Sequence, residues 1–156
     1  MASSYCSGYN VGAAYTLSNV TAGTWYANNT KVLVPFTLGL NTSDWQISSN
    51  TYGLQYIGTP TIVVRCDYFT GNSPESLTGA AMEVAIFKNS TVLTNAMIIG
   101  GFQVASGVLN LPISICQFVS VSTNDILYPG YSLPFQSTAG TAWAYTQSFL
   151  SVNRIG

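Results

Sequence analysis

Charge is what this sequence has least of. Its 156 residues include 4 Lys or Arg, 5 Asp or Glu and no His, so 6% of the chain is charged, where soluble domains average about 25%. A compact chain of this mass exposes roughly 7,600 Å², so nine charges leave about one for each ~840 Å² of surface. That is thin cover for a free monomer. A net charge of −1 without any Lys/Arg cluster excludes the long-range field that nucleic acid or an acidic membrane surface requires.

Other absences narrow the field further. Without histidine, and with no CxxC pair among three cysteines, a transition-metal site has no ligand set. No cofactor is expected. An odd cysteine count argues against a disulfide scaffold. Cys66 and Cys116 lie in apolar runs and read as small buried hydrophobes, whereas Cys6 falls in a Gly/Ser-rich segment where a thiol could be reactive. No stretch approaches the ~20 apolar residues of a membrane-spanning helix. The first residues, "MASSYCSGYNVGAAY", have neither the basic nor the apolar region of a secretory signal, so the expectation is a protein made in a cytoplasm. Four Asn-x-Ser/Thr matches, at Asn19, Asn28, Asn41 and Asn89, are what chance gives in a chain rich in Asn, Ser and Thr.

Helical periodicity is nearly absent too. What is present has period two, in short runs divided by Gly, Pro, Asn and Ser, which predicts an all-β antiparallel sandwich of eight to ten strands. "KVLVPFTL" (31–38) reads as a strand bearing Pro35 at an edge or bulge. "TIVVRCDYF" (61–69) sets Ile62, Val64, Cys66 and Tyr68 against Val63, Arg65, Asp67 and Phe69, and Arg65 beside Asp67 marks a solvated or ion-paired face. "AAMEVAIFK" (80–88) and "TVLTNAMII" (91–99) form a hairpin turning on Asn89 and Ser90. "PISICQFVSVS" (112–122) follows, "STND" breaks it, and "ILY" ends in a Pro129-Gly130 turn. The last strand spans about 141–154 and is apolar on both faces. Residues 1–30, rich in Gly, Ser, Asn and Tyr, read as an arm preceding a domain at 31–156.

No chemistry stands out. Lys31, Lys88 and the scattered acids Asp44, Asp67, Glu75, Glu83 and Asp125 carry no catalytic motif around them, and no Gly-rich phosphate loop is present, so an enzyme is not expected. Asp125, after Asn124, reads as a turn former; calcium ligation is the alternative.

From about residue 45 onward the order of elements resembles the TNF-like jelly roll, the fold of the complement globular head and of many trimeric phage and virus appendages. The resemblance lies in "AMEVAIFKNSTVL", similar to the family's strand, turn and strand; in "VSVSTNDILYPGY", similar to its loop before a strand; and in "QSFLSVNRIG", similar to its closing strand. Ser90 stands where the turn glycine is usual, and "IGTPTIVV" lacks the aromatic that commonly follows its glycine. The resemblance implies a threefold homotrimer built through an aromatic-lined inner sheet containing the last strand. Trp143, Tyr145 and Phe149 are then expected at the trimer contact, with Phe118 and Tyr128 beside them. An ordinary core face gives the same aromatic spacing; the shortage of surface charge decides for an interface.

The expected role is a virion structural protein: a phage capsid cement or decoration protein that sits as trimers on the capsid exterior and stabilises it. Its partners are itself and the major capsid protein. The arm aromatics Tyr5, Tyr9, Tyr15, Trp25 and Tyr26 are expected to contact the shell, since aromatic anchors give large contact area for little lost side-chain entropy. A receptor- or glycan-binding fibre tip is the alternative, and a secreted TNF- or complement-like recognition domain the second.

Overall fold

The computed structural model describes residues 3–11, 21, 23–28, 34–74, 81–101, 111–132 and 143–155, with the side chains of 71–74, 81–82, 94–101, 111–112 and 143–146 excepted. These residues form eleven strands and no helix. They are β1 (Tyr5–Val11), β2 (Tyr26–Ala27), β3 (Thr37–Asn41), β4 (Trp45–Ile47), β5 (Leu54–Tyr56), β6 (Ile62–Pro74), β7 (Ala81–Lys88), β8 (Thr91–Gly101), β9 (Leu111–Val121), β10 (Ile126–Ser132) and β11 (Trp143–Arg154). One sheet runs β3-β1-β11-β6-β9; the other runs β4-β5-β10-β7-β8, with β2 continuing the β5 side of β10. All pairings are antiparallel. The result is the expected sandwich of two sheets.

Period-two alternation places the core where the sequence put it. Ile62, Val64, Cys66 and Tyr68 of β6 face Val84 and Ile86 of β7, with Ile113, Ile115, Val119 and Val121 of β9 beside them, all buried. Lys88 pairs with Thr91 across a two-residue turn of Asn89 and Ser90, and Asn89 takes φ 55°, a conformation asparagine tolerates better than most residues. Deep in the core, the Tyr68 and Tyr131 hydroxyls lie 2.6 Å apart and tie the two sheets together, while Ser148 Oγ bridges Tyr68 and Thr70. Burial pushes the Tyr68 phenol above its ordinary pKa, so this network stays un-ionised.

Several expectations are corrected. Residues 5–11 are no arm: β1 lies inside the first sheet, bonded to β3 on one side and β11 on the other. Its inward residues Cys6, Gly8 and Asn10 are small or polar, which hides the strand pattern. Gly8 has to be small, because an added Cβ meets Phe36 Cβ at 3.0 Å. A division of the chain at residue 30 therefore cuts one sheet in two.

"KVLVPFTL" is not a strand as a unit. Residues 34–36 are irregular, 31–33 lie outside the described residues, and the strand begins at Thr37. Pro129-Gly130 is no turn; both residues sit buried within β10, opposite Ile86 and Ala85. Pro129 supplies a carbonyl to the Asn28 amide at 2.8 Å, and Gly130 lies beneath the ring of Phe87. Gly130→Ala therefore drives a methyl into that ring, an overpacking that costs typically 1–3 kcal/mol. Urea unfolding should show that loss; an unchanged midpoint would mean that Phe87 moves aside freely.

The β2 segment straps the outer face of the second sheet. Trp25 packs edge-on to Phe87 at 6.5 Å, and Ala27, Phe87 and Tyr128 form a second small core. Asn28, fully buried, fixes the strap: its side-chain amide donates to Val34 O and Tyr52 O, and its Oδ1 accepts from the Val34 amide. Burial removes Asn28 as a glycan acceptor. Asn89 has its own structural task, bonding both Asp125 and the Ile126 amide.

Candidate protein-interaction face

The two sheets differ in what covers their outer faces. On the second, the strap covers the small cluster around Phe87 and Tyr128, whereas the first presents large apolar side chains to solvent among the described residues. Strand register assembles them into rows. Tyr9 of β1 lies opposite Phe149 of β11, which lies opposite Phe69 of β6. Their exposures are 41%, 43% and 39%, so three aromatics on adjacent strands form one continuous exposed row. A second row runs Tyr5, Asn153, Arg65, Phe118, with Phe118 60% exposed. Val11 and Val63 extend the face at its two ends, and Leu38 and Leu40 expose apolar surface at the β3 edge.

Five strands at ~4.8 Å spacing and about 3.3 Å rise along seven residues give a face on the order of 440 Å² in projection. That is within the size of the largest apolar patch on ordinary monomers, which is often functional. Only Arg65 and Asp67 carry charge on it among the described residues. They pair with each other, Nη2 lying 2.9 Å from Oδ1, as expected for an ion-paired face.

Of the residues expected at a trimer contact, Phe149 and Phe118 lie on this exposed face. Tyr128 does not: it is buried at 4% in the opposite sheet, beneath the strap. Trp143 and Tyr145 are in β11, but their side chains lie outside the described residues. A register shift between Tyr145 and Gln147 adds one residue to β11 there.

Of the arm aromatics, Tyr5 and Tyr9 belong to this face, Trp25 and Tyr26 to the strap, and Tyr15 lies outside the described residues. The omission was Phe69. Its signal was present in the alternation that set Val63, Arg65, Asp67 and Phe69 on one side of β6, a side with no helix or strand pattern left to cover it.

The cysteines also differ from expectation. Cys6 is buried in the core, and burial pushes its thiol up to about 12; Cys66 is buried and shifted in the same direction. Cys116 is exposed on the interaction face, opposite Asp67. A thiol reagent should therefore label one cysteine per folded, dissociated chain, Cys116, and all three only after unfolding. Two fast-reacting thiols in native protein would contradict the packing around Cys6.

At one end of the sandwich Asp125 does turn work. Its Oδ2 accepts from the Ser122 amide at 2.8 Å and pairs with Lys88 Nζ at 2.8 Å, and its Oδ1 accepts from Asn89 at 2.9 Å. Burial alone raises its pKa, but Lys88 and these donors outweigh that and hold the carboxyl below its ordinary value. Both oxygens thus accept from donors of the turn, the role the sequence favoured. Among the described residues no three His, Cys, Asp or Glu side chains cluster as metal ligands.

No family model and no curated protein sequence matches the chain. Among solved structures it is similar to murine APRIL, with a TM-score of 0.57 at 10% identity over 97% of this chain and 99% of that one. The fold is a TNF-like jelly roll.

Proposed function

We propose that this chain is a non-catalytic structural protein that associates with itself through the outer face of the β3-β1-β11-β6-β9 sheet, as a homotrimer, and decorates the exterior of a virion shell. The row Tyr9, Phe149 and Phe69 carries the reading: three large aromatics side by side on a face with one ion pair are costly to leave in water. The threefold order is the one implied by the resemblance to TNF-like trimers. Tyr5 and Tyr9 move from the shell-contact set to the self-association set, because β1 holds them on this face.

A neutral, hydroxyl-rich exterior suits dense contact with a major capsid protein. Three copies in one trimer make that attachment multivalent, so weak single contacts sum to tight retention. Two measurements test the reading. Light scattering behind a sizing column should give three times the 16.6 kDa chain mass, and the protein should co-sediment with empty capsids. A monomer at micromolar concentration rejects self-association. Binding to host surfaces or a glycan array in place of capsids transfers the role to a receptor- or glycan-binding tip.

A further inference from the structure

The ion pair on the aromatic face sits where a covering partner has to deal with it. Arg65 lies within the row Tyr5, Asn153, Arg65, Phe118, and Asp67 lies on β6 between that row and the row Tyr9, Phe149, Phe69, so a partner that covers both rows covers the pair. Arg65 gives Nε and Nη2 to the same oxygen, Asp67 Oδ1, at 3.0 and 2.9 Å. A guanidinium carries more N–H donors than these two bonds use, and the side chain is 53% exposed, with Asp67 at 30%. The Cys116 thiol bonds both side chains, and the capacity that remains is open to solvent water in the free chain.

Covering the pair removes that water. Desolvating two charges is offset only when the remaining donors and acceptors meet partners. The occupant of this face must therefore offer acceptors to Arg65 and donors to Asp67 at one place, while carrying no net charge against a neutral pair. A polyanion or polycation satisfies one residue and repels the other. Neighbouring copies whose faces converge on a threefold axis supply both kinds of group, from their own Arg65 and Asp67 and from Asn153, Ser151 and Ser7 in the adjoining register positions.

We propose, resting on the self-association read above, that the Arg65–Asp67 pair is buried between copies of this chain and completed there by polar groups of the neighbouring copy. The pair then works against one-sided partners. Removing one member strands the other in a dry contact, whereas removing both leaves apolar surface that packs.

The test is a dilution series of the full chain by analytical ultracentrifugation. The set is wild type, Arg65→Ala, Asp67→Ala, Arg65→Lys and the double variant Arg65→Met with Asp67→Leu, with circular dichroism to check the fold. Each alanine variant should raise the midpoint concentration for dissociation about tenfold or more, in line with halving a buried charge pair. The double variant should return to within about threefold of wild type or assemble more tightly. Arg65→Lys keeps the charge beside Asp67 and should lose less than Arg65→Ala, which preserves the test if an alanine variant does not fold.

If the alanine variants assemble like wild type, the pair lies outside the contact and the proposal is overturned while self-association stands. A double variant no better than the singles overturns it as well, because the deficit would then be lost contact and not an orphaned charge. Wild-type protein that is monomeric throughout removes both readings together.

Discussion

Phe149→Asp should leave the chain monomeric under conditions where the proposed self-association makes wild type assemble. Phe149 stands in the middle of the exposed row, between Tyr9 and Phe69 on the neighbouring strands, so a carboxylate there enters the contact of every copy. An unpaired charge taken into an apolar interface costs several kcal/mol, and each copy carries one. On a sizing column with light scattering the variant should give the 16.6 kDa chain mass at concentrations where wild type gives three times that. The free chain should tolerate the change, because the side chain is 43% exposed, and its urea midpoint reports this. Cys116 adds a second readout: its labelling should be slow in the assembled wild type and fast in Phe149→Asp. An assembly that survives the aspartate unchanged moves the contact to another surface.

Trp45→Ala removes about 3–5 kcal/mol of stability. The indole is 1% exposed, packs on Tyr56 at a ring separation of 5.1 Å, and closes one end of the sandwich. Its Nε1 donates to Ser4 Oγ at 2.9 Å, and Ser4 in turn donates to Asp44 Oδ2 at 2.5 Å; Thr42 Oγ1 donates to the other oxygen of Asp44. Truncation therefore leaves both a cavity and a broken polar chain. Trp45→Phe keeps much of the volume and loses the N–H, so it should cost roughly 1–2 kcal/mol, the scale of one buried hydrogen bond. Urea unfolding in the monomeric Phe149→Asp background separates these losses from any change in assembly. Equal losses for Ala and Phe would mean that the hydrogen bond, and not the ring, dominates this site.

The legible parts of the fold were those where one physical signal acted alone. In β6 and β9 buried apolar residues recur at every second position over most of each strand, and both strands appear where that alternation placed them. The Asn89-Ser90 turn was legible from length and composition. Where two demands competed, the pattern misled. Tyr5–Val11 turns its aromatics outward and small residues inward, the reverse of an ordinary strand, so it read as an arm. Gly130 carries a turn residue's composition because the Phe87 ring lies against it inside a strand, and nothing in the structure explains the proline at 129.

The candidate site was half legible for the same reason. Phe149 of the closing strand lies on the exposed face as its alternation suggested, whereas the register shift between Tyr145 and Gln147 was not legible, because single-residue bulges leave no mark in composition. Cys116 misled through its neighbours: Ile113 and Ile115 are inward, and an odd–even slip of one position separates a buried thiol from an exposed one. Tyr128 shares the aromatic character of the interface set, and only the sheet order, which spacing does not reveal, assigns it to the other layer.

The pairing of β1 with β11 sets a clock on folding. Tyr5 meets Asn153 and Val11 meets Gln147, so the middle of one sheet joins residues near opposite ends of the sequence. During synthesis β1 has to wait, unpaired on that side, until residue 153 has left the ribosome, while β6 and β9 can already pair through eleven positions. Contacts so distant along the chain fold slowly, because loop closure precedes any return from them. Through that interval Tyr9 and Phe69 lack Phe149, the ring that stands between them in the finished row. Completion of β11 therefore closes the sandwich and completes the exposed aromatic row in a single event.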